Sequence, residues 1–146
     1  MYIENIRDIG LCFHHVGLLV ESIDDSIINY SKLFGEFNVS KITRINSQKV
    51  RVCFIKIASS HFIELVEPTE KDSPVYNLLK KRISYYHIGY KVANIDLAVS
   101  ILEGLNFKKQ EYFYSEAFEG RRCMFLFSPD THLIELIEEK ECLTKI

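Results

Sequence analysis

Two stretches of the chain share one pattern of apolar and polar residues. FHHVGLLV at 13–20 returns as YYHIGYKV at 85–92, with His and Gly two residues apart in both copies. Short runs rich in Val, Leu, Ile, Phe and Tyr are typical of β-strands. We therefore predict the same strand at both places.

An amphipathic helix is predicted after each of these strands. Apolar residues recur at helical spacing in SIINYSKLF and in LAVSILEGL. Asp24 and Asp96 stand where a helix N-cap is expected, because a carboxylate there can accept hydrogen bonds from the first backbone amides. Gly35 and Gly104 fall near the predicted helix ends, where glycine suits a left-handed C-cap.

The match continues through the rest of both halves. His15 matches His87 at an offset of 72 residues, and at an offset of 71 RVCFI matches RCMFL and FIELVE matches LIELIE. Three further strands are predicted in each half: EFNVSKI, VRVCFIKI and HFIELVEP in the first, and FKKQEYFY, RCMFLFS and HLIELIEE in the second. The chain therefore consists of two copies of one strand–helix–strand–strand–strand module.

The repeat sets the predicted domain organisation. We expect a single domain over 1–146, with module one at 11–67 and module two at 85–138. The linker at 68–84 contains two prolines and one short amphipathic helix candidate, and a tail follows at 139–146.

Composition and charge exclude several classes of protein. The chain has 146 residues, 47% of them hydrophobic, and a formal net charge of −2, so we expect an ordinary globular protein without nucleic-acid partners. No apolar run approaches the ~20 residues that span a bilayer, and the first residues do not resemble a signal peptide. The four scattered cysteines (Cys12, Cys53, Cys123 and Cys142) are interpreted as thiols, mostly buried, in a reducing cytoplasm.

Two imidazoles and two carboxylates occupy equivalent positions in the repeat. They are His15 and Glu64 in module one, and His87 and Glu135 in module two. Both glutamates interrupt otherwise apolar strands, and a buried unpaired carboxylate costs several kcal/mol, so each must find solvent, a partner or a metal. We predict that these four residues bind one metal ion. The nearby Gly17 and Gly89 either leave room for substrate or mark a bulge or close strand packing.

Other polar residues are weaker candidates. Lys91, on the face of His87, and Arg122 are the candidates for binding an acidic substrate. The alternatives are that Lys91 only extends to solvent, and that Arg51 and Arg122 pair with nearby glutamates. The remaining polar residues are predicted to be core or interface (His14), exposed at hairpin turns (His61 and His132) and solvated at strand ends (Glu67 and Glu138).

The paired modules resemble the vicinal oxygen chelate superfamily, the glyoxalase/bleomycin resistance/dioxygenase group. HHVGLLV, FIELVEP, KDSPV, YYHIGYKV, FLFSPD and LIELIE look most like its methylmalonyl-CoA epimerase branch. The resemblance implies an α+β fold, in which two tandem βαβββ modules form a cupped, barrel-like mixed sheet around one metal. FSPDTH departs from the branch, which carries a His-Pro and glycine-bearing turn there. No clear match exists for an extra acidic base in module one, where Arg51 and Cys53 stand.

The resemblance also implies an activity. We expect a divalent-metal-dependent epimerase or isomerase, with Co, Ni, Zn or Mn as the metal, that removes a proton next to a metal-bound carbonyl. Glu135 is the predicted base. The expected partner is an acyl thioester or a glutathione adduct, and a homodimer is expected. The alternatives are lactoylglutathione lyase (glyoxalase I) and a non-catalytic sequestering protein of the same fold; an extradiol dioxygenase fits less well, because it needs no ligand at Glu64.

Overall fold

Strands and helices of the first half follow the predicted module closely. The structure is a computed structural model that describes residues 9–140. The chain divides into a first unit, residues 15–86, and a second unit that joins residues 9–14 to the residues from 87 onward. The elements of the first half are β1 (Cys12–Leu19), α1 (Ile23–Phe34), β2 (Thr43–Ile45), β3 (Val50–Ala58), β4 (His61–Pro68) and α2 (Tyr76–Lys80). Here β2 pairs antiparallel with β3, β3 antiparallel with β4, and β4 parallel with β1.

The second half repeats this arrangement. Its elements are β5 (Tyr85–Val92), α3 (Ile95–Gly104), β6 (Lys108–Lys109), β7 (Phe113–Ser115), β8 (Arg121–Ser128) and β9 (His132–Glu138). Here β5 pairs parallel with β9, β9 antiparallel with β8, and β8 antiparallel with both β6 and β7. Each half thus has helices and a mixed sheet in βαβββ order, which confirms the predicted α+β class.

The third element of each predicted module is shorter than expected. The first prediction was wrong in position: EFNVSKI (36–42) contains a 3-10 turn at Glu36–Asn38 and one isolated bridge at Val39, and β2 begins only after it, at Thr43. FKKQEYFY divides into β6 and β7, because Lys109 pairs with Leu126 but Phe113 already pairs with Cys123. One extra residue on this side prevents continuous pairing and leaves a bulge.

Each helix covers one face of its own sheet with apolar side chains. The buried core beneath α1 consists of Ile23, Cys53, Ile55 and Leu65. The buried core beneath α3 consists of Ile9, Val92, Ile95, Ala98, Val99, Leu102, Met124, Leu126, Ile134 and Leu136. Because side chains alternate along a strand, these contacts leave the other face of each sheet for His15, Glu64, His87 and Glu135.

The helices begin earlier than predicted. Ser22 and Asn94 are the N-caps, with extended backbones and side chains that accept from Asp25 N (3.2 Å) and Leu97 N (3.0 Å). The prediction that Asp24 and Asp96 cap the helices was therefore wrong. Both lie in the first helical turn, where the negative charge of an acidic side chain interacts favourably with the positive end of the helix dipole.

Glu67 connects the end of β4 to the start of α1. Its carboxylate accepts a hydrogen bond from Ile23 N at 2.8 Å and another from Arg51 Nε at 3.1 Å. Arg51 also binds the Asp24 carboxylate at 3.2 Å. The glutamate thus satisfies one amide that the helix itself leaves unpaired.

The second unit builds the same cluster with Glu138. This side chain accepts from Ile95 N at 3.1 Å and lies 3.6 Å from the guanidinium of Arg122, which binds Asp96 at 2.7 Å. The prediction that Glu67 and Glu138 are solvated was wrong, because their side chains are only 17% and 23% exposed. The alternative reading of Arg51 and Arg122, that they pair with nearby glutamates, is confirmed.

Smaller expectations have mixed outcomes. Gly35 follows α1 with a positive φ of 90°, but its ψ of 145° lies outside the left-handed helical region that was predicted. Gly104 is the last residue of α3, and the positive φ falls on Asn106. His61 and His132 are exposed at the hairpin turns. Cys53 and Cys123 are buried and Cys12 is half-buried, while Cys142 lies outside the described residues. Within residues 9–140, no helix is both long enough and apolar enough to cross a bilayer.

Replacing Glu67 or Glu138 with Ala should lower the free energy of unfolding by about 2 kcal/mol, because a helix amide and an arginine lose a charged acceptor. Urea unfolding of each variant measures this cost. Glu70→Ala is the matched control, since Glu70 is exposed and should change stability by less than about 0.5 kcal/mol. Equal losses in all three variants would contradict the capping role.

The Asp96 cluster should make stability depend on pH. Hydrogen bonds from Arg122 and then Tyr112 hold the pKa of Asp96 below its ordinary value. A carboxylate with a lowered folded pKa stabilises the protein above its unfolded pKa, near 3.8, and this contribution disappears as pH falls through the folded value. Asp96→Asn should therefore lose stability at neutral pH and show a smaller further loss on acidification. Unfolding curves between about pH 6 and pH 3, with exposed Asp130→Asn as control, test this.

Candidate metal centre

The first His–Glu pair joins β1 to β4. His15 Nε2 lies 3.4 Å from Glu64 Oε1, and both side chains are less than 5% exposed. The strand register places Gly17 directly beside Glu64. Since a glycine has no side chain, the glutamate can extend over it toward the imidazole two residues away on the same face.

The second pair has the same geometry in the other unit. His87 Nε2 lies 3.2 Å from Glu135 Oε1, and both side chains are again almost fully buried. Gly89 is the register partner of Glu135. Each unit therefore brings together the one His and the one Glu that the repeat singles out.

An aromatic ring stands beside each imidazole. Phe54, the register partner of Glu64, lies edge-on to His15 with ring centroids 5.6 Å apart. Phe125 has the same relation to Glu135 and lies 5.2 Å from the His87 ring. Sequence reasoning did not assign these phenylalanines to the site, although RVCFI and RCMFL place them at matching positions. Apolar rings exclude water, which strengthens electrostatic interactions of the buried carboxylates.

The chemistry of these four side chains suits a metal. A carboxylate in an apolar surrounding needs compensation, and a bound cation would supply it. His15, Glu64, His87 and Glu135 are all buried, and each offers one imidazole nitrogen or carboxylate oxygen as a ligand. Mixed nitrogen and oxygen donors are compatible with a divalent transition metal.

The two residues predicted to bind substrate both have protein partners. Lys91 Nζ lies 3.1 Å from the Glu139 carboxylate. Arg122 binds Asp96 and lies over the Tyr112 ring at 4.8 Å, on the side of the sheet that α3 covers. Their role in substrate binding stays a prediction. Arg121, which sequence reasoning passed over, shares the face of Glu135 because β8 places it four residues before Phe125.

His14 points away from the His–Glu pairs. It is 9% exposed, and its ring packs edge-on against Phe118 with centroids 5.3 Å apart. This agrees with the expectation of a core or interface role.

Comparisons with known proteins agree with this fold. Uncharacterized protein YqjC of Bacillus subtilis (strain 168) is 30% identical over 129 residues, covering 86% of this chain and 91% of the relative. A methylmalonyl-CoA epimerase from Mycobacterium tuberculosis superposes with a TM-score of 0.77 at 22% identity, over 92% of each chain. The epimerase of Streptomyces coelicolor, solved with 2-nitronate-propionyl-CoA, gives 0.77 at 24% identity, over 88% of this chain and 98% of its own. These structural likenesses establish the fold.

The family itself is established by sequence. The family model of the Glyoxalase/Bleomycin resistance protein/Dioxygenase superfamily matches residues 14–125. This region contains His15, Phe54, Glu64, His87 and Phe125. The resemblance predicted from the repeated motifs is therefore confirmed, and the chain belongs to the glyoxalase/bleomycin resistance protein/dioxygenase superfamily.

Proposed function

We propose that this protein is a divalent-metal-dependent epimerase that acts on a 2-substituted malonyl thioester such as methylmalonyl-CoA. The observation that carries the proposal is the buried His–Glu pair at equivalent positions of both units. The epimerases of similar fold support the choice of substrate, and the Streptomyces coelicolor enzyme binds an acyl-CoA analogue.

The proposed metal is held by His15, Glu64, His87 and Glu135 together. One His–Glu pair provides two ligands, and protein sites for divalent transition metals generally use about three or four. Two pairs on one ion would satisfy this requirement, and substrate oxygens could complete the coordination of the ion. Cobalt, nickel, zinc and manganese all accept such donors. When bound, the ion would polarise the thioester carbonyl as a Lewis acid.

Glu135 is the proposed general base. Its carboxylate lies beside His87 and opposite Phe125, where few water molecules can compete for a substrate proton. In the proposed step, Glu135 takes the proton from C2, and the electrons of the C–H bond move toward the carbonyl oxygen. Return of a proton to the opposite face of C2 inverts that carbon. A positioned base of this kind contributes about 10²–10⁴-fold to the rate.

Metal stoichiometry tests the ligand set. Calorimetric titration of metal-free protein with Co²⁺ should give one ion per chain. Glu64→Gln and Glu135→Gln should each weaken binding by at least about 100-fold, since even an outer-shell partner is worth about 10–100-fold. Neither variant should destabilise the metal-free protein, because each replaces a buried charge with a neutral group of similar shape.

The exposed Glu111→Gln variant is the control for this titration and should bind the metal like the unmodified protein. Two ions per chain would contradict a shared site. Unchanged Co²⁺ affinity in Glu64→Gln and Glu135→Gln would also contradict it.

Proton exchange in D2O tests the reaction. With metal present, NMR should show deuterium entering C2 of methylmalonyl-CoA together with loss of chirality at that carbon. At a metal concentration that saturates the variant, Glu135→Gln should still slow the exchange by about 10²–10⁴-fold, because the base is lost. The matched measurement uses the methylglyoxal–glutathione adduct. Its conversion to a lactoyl thioester would replace the epimerase proposal with glyoxalase I chemistry, and one bound ion without turnover of either compound would favour a sequestering protein.

A further inference from the structure

One corner of the sheet differs in character between the two units. In the first unit, Ile45 pairs with Val50 in register, and Leu19 lies on the same face; all three are apolar and at most 5% exposed. The equivalent residues of the second unit are Ser115, Arg121 and Lys91, and Glu139 stands where the first unit has Pro68. We call Lys91, Ser115, Arg121 and Glu139 the polar corner.

Two cations of the polar corner share a single carboxylate. Lys91 Nζ lies 3.1 Å from one oxygen of Glu139, and the guanidinium of Arg121 lies 3.6 Å from the other. The three side chains are between 15% and 35% exposed. Among these three side chains, two positive charges therefore face one negative charge, in a place only partly open to water.

The polar corner also contains a buried hydroxyl group that has no hydrogen-bond partner among the described residues. Ser115 is 0% exposed, and among the described residues its Oγ has no hydrogen-bond partner. Register pairing with Arg121 puts the two side chains on the same face, with Cβ atoms about 5 Å apart. A fully buried hydroxyl that makes no hydrogen bond is destabilising, and native structures contain few of them.

We propose that the polar corner binds an oxyanion, a carboxylate or a phosphate. Arg121 supplies a planar donor fork suited to such a group, Lys91 supplies a second charge, and the Ser115 hydroxyl supplies a neutral donor. Glu139 holds both cations toward one point. A bound anion would balance the excess charge and give Ser115 Oγ the acceptor that the protein does not provide.

This site is separate from the His87–Glu135 pair. Glu139 follows β9 and lies four residues beyond Glu135, about 13 Å along an extended chain, with the fully buried Ile137 between them. Lys91 is nearer, because it pairs with Ile137, two residues from Glu135. The proposal therefore does not depend on the metal or on the epimerase activity.

Anion binding to the metal-free protein is the test, with inorganic phosphate and acetate as probes at constant ionic strength. Calorimetry and the shift of the thermal midpoint should show saturable binding of at least one probe. Arg121→Gln and Lys91→Gln should each weaken it about tenfold, because each removes a charged donor and leaves the other cation on Glu139. Preference for phosphate over acetate, or the reverse, identifies which class of oxyanion the site takes.

Ser115→Ala separates binding from folding. Without anion, this variant should be at least as stable as the unmodified protein, because it removes a hydroxyl that makes no bond; its anion affinity should fall. Arg44→Gln and Lys109→Gln are charge-matched controls, since Arg44 is exposed on β2 and Lys109 is paired with Glu103 on the surface. Non-saturable effects, unchanged affinity in Arg121→Gln and Lys91→Gln, or loss of stability in anion-free Ser115→Ala would each overturn the proposal.

Discussion

The structure depends on burying a carboxylate twice in strands that are otherwise apolar. Transfer of an ionised group out of water costs several kcal/mol, so the surrounding chain must compensate each carboxylate locally. Strand register limits where that compensation can lie. The residue directly beside Glu64 or Glu135 is glycine, and a histidine side chain lies within 3.4 Å of each carboxylate. On the other neighbouring strand, the residue beside each glutamate is a phenylalanine: Phe54 beside Glu64 and Phe125 beside Glu135.

Comparison of the two units separates the features that both halves share from those that only one half has. The His–Glu pairs and the clusters of Glu67 and Glu138 recur with nearly the same distances, so both features belong to the repeated module. The polar corner does not recur. Since the apolar residues of the first unit show that the same backbone can close this corner as ordinary core, its charges in the second unit are not a structural necessity.

Sequence analysis identified both His–Glu pairs, because the repeat placed the same uncommon residues at the same places and strand alternation assigned them to one face. It failed where the outcome depended on a shift of one or two residues, or on a contact between residues far apart in the chain. The N-cap of α1 is Ser22 and not the predicted Asp24, because the backbone is still extended at Ser22 and helical from Ile23. Arg121 and Arg122 are adjacent, yet they lie on opposite faces, and only the pairing of β8 shows which one faces Glu135. The burial of Glu67 follows from its reach to Ile23, 44 residues earlier, which no local pattern encodes.

The two kinds of charged cluster differ in what explains them. Glu67 and Glu138 bind helix amides and arginines at the edge of the protein, and the stability that they supply is sufficient reason for their presence. The buried His–Glu pairs have no such explanation, because well-packed apolar residues at the same places would stabilise the fold at least as well. The strands are apolar on either side of Glu64 and Glu135, so apolar residues at these two positions would fit with little change. The cost of burying these carboxylates is therefore compatible with a divalent metal site, and the proposed ligand role would give the pairs a function that offsets the lost stability.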